Sequence, residues 1–185
     1  MALNTRIFIP VILLCAILNS LESQAIDGHR EGFAVGLGLG YGGVENNTGY
    51  SVENSSGLTT SFKIGGGFSD QWMIYYSTRM VFFSHSHNQK NWYQGMNAAG
   101  VSYFLEPEGP SFFFSGELGV GGYNNFDNNL ANGWFYDSGW GFTVGAGYEF
   151  SPHYLIEVNY MRASWNSNPE KRVSNLTVTL NWLVY

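Results

Sequence analysis

From residue 32 onward, apolar side chains alternate with small or polar ones at a period of two along almost the whole chain. In 32–42, Phe33, Val35, Leu37, Leu39 and Tyr41 fall on one face, and Ala34, Gly36, Gly38, Gly40 and Gly42 on the other. In 57–68, Leu58, Thr60, Phe62, Ile64 and Phe68 oppose Thr59, Ser61, Lys63, Gly65 and Gly67. Segment 72–83 sets Trp72, Ile74, Tyr76, Met80 and Phe82 against Ser77 and Arg79, and 111–123 sets Phe112, Phe114, Leu118 and Val120 against Ser115, Glu117, Gly119 and Gly121. The pattern returns in 138–150, 154–163 and 173–185, with Glu149, Glu157, Thr177 and Thr179 on the polar side. Segment 92–105 alternates least clearly; Val101, Tyr103 and Leu105 read as outward, with the parity open. Side chains of a strand point alternately to its two faces, so the pattern predicts eight β-strands, each with one apolar face. A tilted strand crosses a bilayer in about 9–11 residues, which these segments supply.

A water-soluble antiparallel sandwich also alternates. The connections separate the two readings. Those at 69–71, 106–110 and 151–153 are short; those at 43–56, 84–91, 124–137 and 164–172 are long and polar. Long and short alternate strictly, as they do in a barrel with short periplasmic turns and longer external loops. The apolar faces carry no charge through their middles, which a water-facing surface would not need. Aromatic residues cluster toward segment ends, at Tyr41, Phe68, Trp72, Phe104, Phe112, Trp140, Phe150, Tyr154 and Trp182, the positions of interfacial girdles.

The start of the chain follows other rules. Arg6 precedes an apolar run at 7–18, followed by a polar stretch, with Ser23 and Ala25 as small residues at −3 and −1. This reads as a secretory signal peptide, 1–25, ahead of a barrel domain, 26–185. The apolar run is too short for a spanning helix of about 20 residues. Leu14 before Cys15 argues against a lipoprotein signal, and cleavage after Ala25 removes the sole cysteine.

Composition then sharpens the picture. Charged residues are 12% of 185, aromatics 17%, and glycine contributes 24 residues, with a net charge of −6. Abundant rings and sparse charge exclude a disordered chain, and an acidic balance with no basic run excludes a nucleic-acid footprint. Eight strands leave an interior that side chains fill. The inward glycines make room for the few long polar chains, Lys63, Arg79, Glu117, Glu149 and Glu157, which are expected to pair as a lumen charge network. Three carboxylates against two cations leaves that set unbalanced.

These features together resemble the small OmpA/OmpX-type outer-membrane β-barrel family. The resemblance spans 32–185 and rests on the leader, the eight segments and the ending at 176–185, Leu-Thr-Val-Thr-Leu-Asn-Trp-Leu-Val-Tyr. It implies an eight-stranded antiparallel up-and-down barrel in the outer membrane, with Tyr185 as the terminal aromatic read by the barrel-assembly machinery. The strongest alternation near this end runs on even positions while Tyr185 is odd; a bulge or an imperfect signal would account for this.

Candidate chemistry is sparse. Gly38–Gly43 matches G-x-G-x-x-G, but a polar loop follows where a nucleotide site needs a helix. Ser84-His85-Ser86-His87 offers a Ser–His pair or two imidazoles. Some small barrels are lipid A deacylases, yet their His-x-Ser-Asn order is absent here. Glu117, Glu149 and Glu157 have no room for a sugar between them. The external loops are rich in asparagine, and Trp134, Phe135 and Tyr136 stand among them as candidates for binding a protein or glycan. The reading is a monomeric structural or surface-interaction barrel, touching outer-membrane lipid and lipopolysaccharide, with a plugged lumen and no catalysis, cofactor or metal. The alternatives are an outer-leaflet lipid-modifying enzyme using His85, Ser86 or His87, and a narrow ion-conducting pore.

Overall fold

The computed structural model describes residues 29–47, 52–84, 91–125, 137–164 and 172–185. Eight strands follow one another: β1 (Gly32–Asn47), β2 (Val52–Ser69), β3 (Trp72–Ser84), β4 (Asn91–Phe104), β5 (Ser111–Asn125), β6 (Asp137–Ser151), β7 (Tyr154–Ser164) and β8 (Arg172–Val184). Each pairs antiparallel with the next, and β1 pairs with β8 to close the barrel.

The register fixes its dimensions. Following paired residues from Gly36 through Lys63, Ser77, Ala98, Gly119, Gly141, Ala163 and Val173 returns to β1 at Asn46, ten residues along. With a rise of ~3.3 Å per residue and ~4.7 Å between strands, that stagger gives a tilt of about 40° and a radius of about 8 Å. Side chains fill a tube of that width. β2, at 18 residues, is much longer than a crossing requires, so the β1–β2 ribbon extends beyond the apolar band at the loop end.

The outward face is a lipid surface. Leu37, Leu118, Trp140, Val144, Ile156, Val178 and Leu180 are all exposed. At the end that carries the termini, aromatic rings form a girdle: Trp72 lies 4.6 Å from Tyr103, Phe112 lies 4.6 Å from Tyr148, and Phe150 lies 6.3 Å from Tyr154. The parity of β4 is also fixed. Val101 and Leu105 face out, while Met96, Ala98, Ser102 and Phe104 are buried, so Phe104 packs in the interior and is not part of the girdle, its even position setting it on the inward face. Its alternation is faint because Asn97 also faces out, where its Oδ1 accepts hydrogen bonds from Thr78 Oγ1 (2.7 Å) and the Tyr76 hydroxyl (3.0 Å).

The three short turns are tied together. Ser69 Oγ accepts from the Trp72 amide at 3.2 Å, and the Phe104 amide donates to the Gln71 carbonyl at 2.8 Å. Ser111 Oγ accepts from the Glu106 amide at 2.9 Å. His153 adopts a left-handed φ of 71°, a conformation that costs about 1 kcal/mol or more for a residue with a side chain. Its carbonyl accepts from the Leu183 amide at 2.8 Å, which offsets that strain. No register shift interrupts β8 against β1 or β7, so no bulge accounts for the odd parity of Tyr185; its ring lies on the inward side and is buried.

Candidate functional site in the barrel lumen

The inward residues form layers. At the termini end, Ala34, Met73, Tyr75, Phe104, Phe113, Leu155 and Leu183 pack into one apolar layer, joined by Tyr185. At the loop end, Val44, Val81, Phe83, Ala163 and Val173 form a second, and Trp92 and Tyr123, stacked on each other at 5.3 Å, pack against it. Polar and charged side chains lie between the two.

Their centre is Glu157, fully buried on β7. Lys63 Nζ donates to both its carboxylate oxygens at 3.1 and 3.0 Å, and Ser115 Oγ donates at 2.9 Å. Asn181 Nδ2 donates to the same carboxylate at 3.5 Å, and Ser61 Oγ in turn donates to Asn181 Oδ1 at 2.9 Å. Arg79 lies between two carboxylates, with Nη2 3.5 Å from Glu117 and 3.7 Å from Glu157. Lys63 also stands over the Tyr75 ring at 4.9 Å. Lys63, Arg79, Glu117 and Glu157 thus form one cluster, in which two cations face two carboxylates. A cavity of about 20 Å³, room for one water, opens beside Lys63, Tyr75 and Ser102. Above the cluster, Thr59, Gln94, Thr143, Asn159 and Thr177 have no protein hydrogen-bond partner among the described residues, the setting in which barrels hold internal water.

Glu149 belongs elsewhere. Its carboxylate accepts from Arg30 Nε at 3.1 Å and from Arg30 Nη2, and its other oxygen accepts from the Tyr185 hydroxyl. Arg30 is 0% exposed. Its Nη1 donates to the carbonyls of Asp70, Glu106 and Pro107, each at 2.9 Å, and its guanidinium stacks on Phe104 at 4.1 Å. One side chain therefore closes the termini end by holding the first two short turns and β6 together.

Arg30 is the residue that the sequence reading missed, and it corrects the expected charge imbalance: among the described residues, three lumen carboxylates meet three cations. A signal for it existed. Arg30 continues the inward parity of Gly32, Ala34 and Gly36, although it lies two residues before the strand. The apolar layers were missed too, because in β3 both faces are apolar (Met73, Tyr75, Val81 and Phe83 inward), so alternation cannot reveal the inner set. His85, Ser86 and His87 lie outside the described residues, as do Trp134, Phe135 and Tyr136. Ser84, at the edge of the first group, donates its hydroxyl to Asn91 Oδ1 at 2.8 Å. Among the described residues no group of His, Cys, Asp and Glu is placed to hold a metal.

A closed sheet with an apolar exterior, aromatic girdles and a packed ionic interior defines a transmembrane β-barrel, the one sheet architecture that leaves no open edge in lipid. The sequence agrees with the fold. The chain belongs to the outer membrane protein beta-barrel domain family, whose model matches residues 11–182. No curated protein sequence matches it. Among solved structures it is similar to Ail, the attachment invasion locus protein of Yersinia pestis, with a TM-score of 0.58 at 13% identity over 82% of this chain and 98% of that one. It is similar to Neisserial surface protein A, with a TM-score of 0.56 at 11% identity, covering 82% and 99% of the two chains. The outer membrane enzyme PagL matches with a TM-score of 0.50 at 13% identity, covering 80% and 98%. At these identities the likeness is one of fold. An attachment protein and an enzyme share it, so the fold alone does not choose between roles.

Proposed function

We propose that this protein is a non-conducting, surface-exposed barrel of the outer membrane, exported by its first 25 residues. Its role is to stabilise the envelope and to contact partners through its long connections, with no catalytic activity of its own. The observation that carries this reading is the closure of the lumen. Apolar layers lie at both ends, the Lys63–Glu157–Arg79–Glu117 cluster lies between them, and Arg30 lies beneath the lower layer. An ion crossing such a lumen would have to leave water and displace packed rings, which costs several kcal/mol at each layer. The chemistry open to partners is therefore on the outside and in the loops. The asparagine-rich connections with Trp134, Phe135 and Tyr136 suit a glycan or protein surface, and the lipid of the outer leaflet surrounds the barrel wall.

Planar-bilayer recording with the purified barrel tests this. The expected result is no steady conductance above baseline in molar salt; reproducible unit conductance would overturn the plugged-lumen reading. A lipid A mass profile unchanged by expression is expected alongside it, and an acyl loss abolished in His87→Ala would overturn the non-enzymatic reading.

A further inference from the structure

The described residues include five Lys and Arg side chains. Arg30, Lys63 and Arg79 lie inside the barrel, in ion pairs. The other two stand together outside. Arg162 on β7 shares the parity of the exposed Ile156, Val158 and Tyr160, and Arg172 on β8 shares that of Leu176, Val178 and Leu180. The register pairs Arg162 with Ser174 and Ser164 with Arg172, so the two arginines are diagonal neighbours on one face, roughly 7–8 Å apart. Neither meets a carboxylate within ion-pair distance among the described residues. They sit immediately beyond the apolar band, at the loop end. No lysine or arginine among the described residues faces outward at the opposite end.

A groove of about 290 Å³ opens beside them on β1, β2, β7 and β8. Gly43 is its floor, where an added Cβ would meet nothing nearer than the Ser55 carbonyl at 4.0 Å. Tyr160 and Leu176 line its membrane side; Ser174, Asn54 and Glu45 line its outer side. The groove is therefore apolar toward the bilayer and polar away from it, and the register sets Arg162 beside its lining Ser174, with Arg172 two residues from Ser174 on the same face of β8. A guanidinium at a lipid headgroup level is satisfied by a phosphate, which it meets with two parallel hydrogen bonds. The hydroxyl, amide and carboxylate of Ser174, Asn54 and Glu45 suit sugar hydroxyls, and Glu45 disfavours a ligand that is anionic throughout.

We propose that the Arg162–Arg172 face of β7 and β8, with this groove, binds a phosphorylated glycolipid of the leaflet at the loop end. The phosphate lies on the two arginines, the sugar in the polar half of the groove, and the first acyl methylenes against Tyr160 and Leu176. The proposal deepens the proposed function and rests on its placing the long connections on the outer side.

The test uses the full barrel in detergent micelles, with native mass spectrometry reading retained lipid. The probes are bisphosphorylated lipid A, the same lipid after phosphatase treatment, and inorganic phosphate. The expected result is retention of the phosphorylated lipid, a loss of at least about tenfold on dephosphorylation, and no displacement by millimolar inorganic phosphate. Arg162→Gln with Arg172→Gln should lower retention by a similar factor. Heat-modifiable migration checks that each variant is folded. Equal retention of the dephosphorylated lipid by the unaltered protein overturns the proposal, whether or not the variants fold. So does equal retention by a folded Gln pair, and displacement by inorganic phosphate overturns the lipid as ligand. Micelles have no leaflets, so a failure here leaves the orientation standing; surface labelling of a tag placed in 85–90 tests that reading by itself.

Discussion

Replacing Arg30 by methionine removes the one side chain among the described residues that bonds to both of the first two short turns and to β6. The variant leaves Glu149 buried with one partner, the Tyr185 hydroxyl, and leaves the carbonyls of Asp70, Glu106 and Pro107 without their shared donor. Removing one member of a buried ion pair costs about 3–5 kcal/mol. The three carbonyls lie at the rim and can turn to water, so the lower end of that range applies, about 3 kcal/mol. This is a large part of the 5–15 kcal/mol typical of a folded domain. The double variant Arg30→Met, Glu149→Gln leaves no uncompensated charge, and the amide oxygen it places on β6 still accepts from Tyr185, so its total loss should be about 1–2 kcal/mol. The two changes should therefore couple by about 2 kcal/mol or more once the cost of Glu149→Gln alone is included. Urea unfolding in lipid vesicles, followed by tryptophan fluorescence, measures all three variants. Additivity of the single changes within about 0.5 kcal/mol would refute the direct pairing, and a loss below about 1 kcal/mol in Arg30→Met would refute its role as the closing residue.

Two further outcomes follow from position. Gly116 and Gly119 lie three residues apart on β5, but Gly116 faces lipid with nothing near an added Cβ, while a Cβ at Gly119 meets the Asn97 carbonyl and Ala98. Gly116→Val should be neutral or stabilising by up to about 1 kcal/mol, and Gly119→Val should destabilise by about 2 kcal/mol or more, both read by the same unfolding assay. Leu118 is 69% exposed in the apolar band, so Leu118→Arg should cost about 2–4 kcal/mol in a bilayer. Glu45→Arg, beyond the band, should change stability by less than about 0.5 kcal/mol, and equal effects would mean that the membrane boundary is drawn wrongly.

The fold was legible because one physical rule governs every residue in the wall. Phe33, Leu37 and Tyr41 alternate with glycine because one side meets lipid and the other a narrow lumen, and the same rule holds in β5 to β8. It fails where both sides are apolar, as in β3, or where the lipid side holds a polar group that neighbours satisfy, as at Asn97. The lumen was legible in its charges and not in its pairing. Period two assigns Glu149 and Glu157 to the same face, but the axial distance between a residue near a turn and one in mid-strand depends on tilt and stagger. That stagger puts Glu157 among Lys63, Arg79, Ser115 and Asn181, and Glu149 against Arg30 and Tyr185. Arg30 was hidden for a simpler reason: it precedes the strand, where alternation is not read.

The two ends of the lumen are closed by different means, and the difference bears on how the barrel forms. At the loop end the seal is side-chain packing among Val44, Val81, Phe83, Ala163 and Val173, contributed by strands already in register. At the other end a similar layer is capped in addition by groups from beyond the first and last strands. Arg30 precedes β1, Tyr185 follows β8, and both converge on Glu149, 119 and 36 residues away in sequence. Such contacts reward the chain only after its loops are closed. The Arg30–Glu149–Tyr185 latch therefore cannot form before β1 and β8 pair, and once formed it opposes their separation. The seam is the one strand pairing in the sheet not held by a connecting loop, and the latch sits at its end. Stabilisation by these three residues should thus appear mainly in the unfolding rate, with the folding rate little changed.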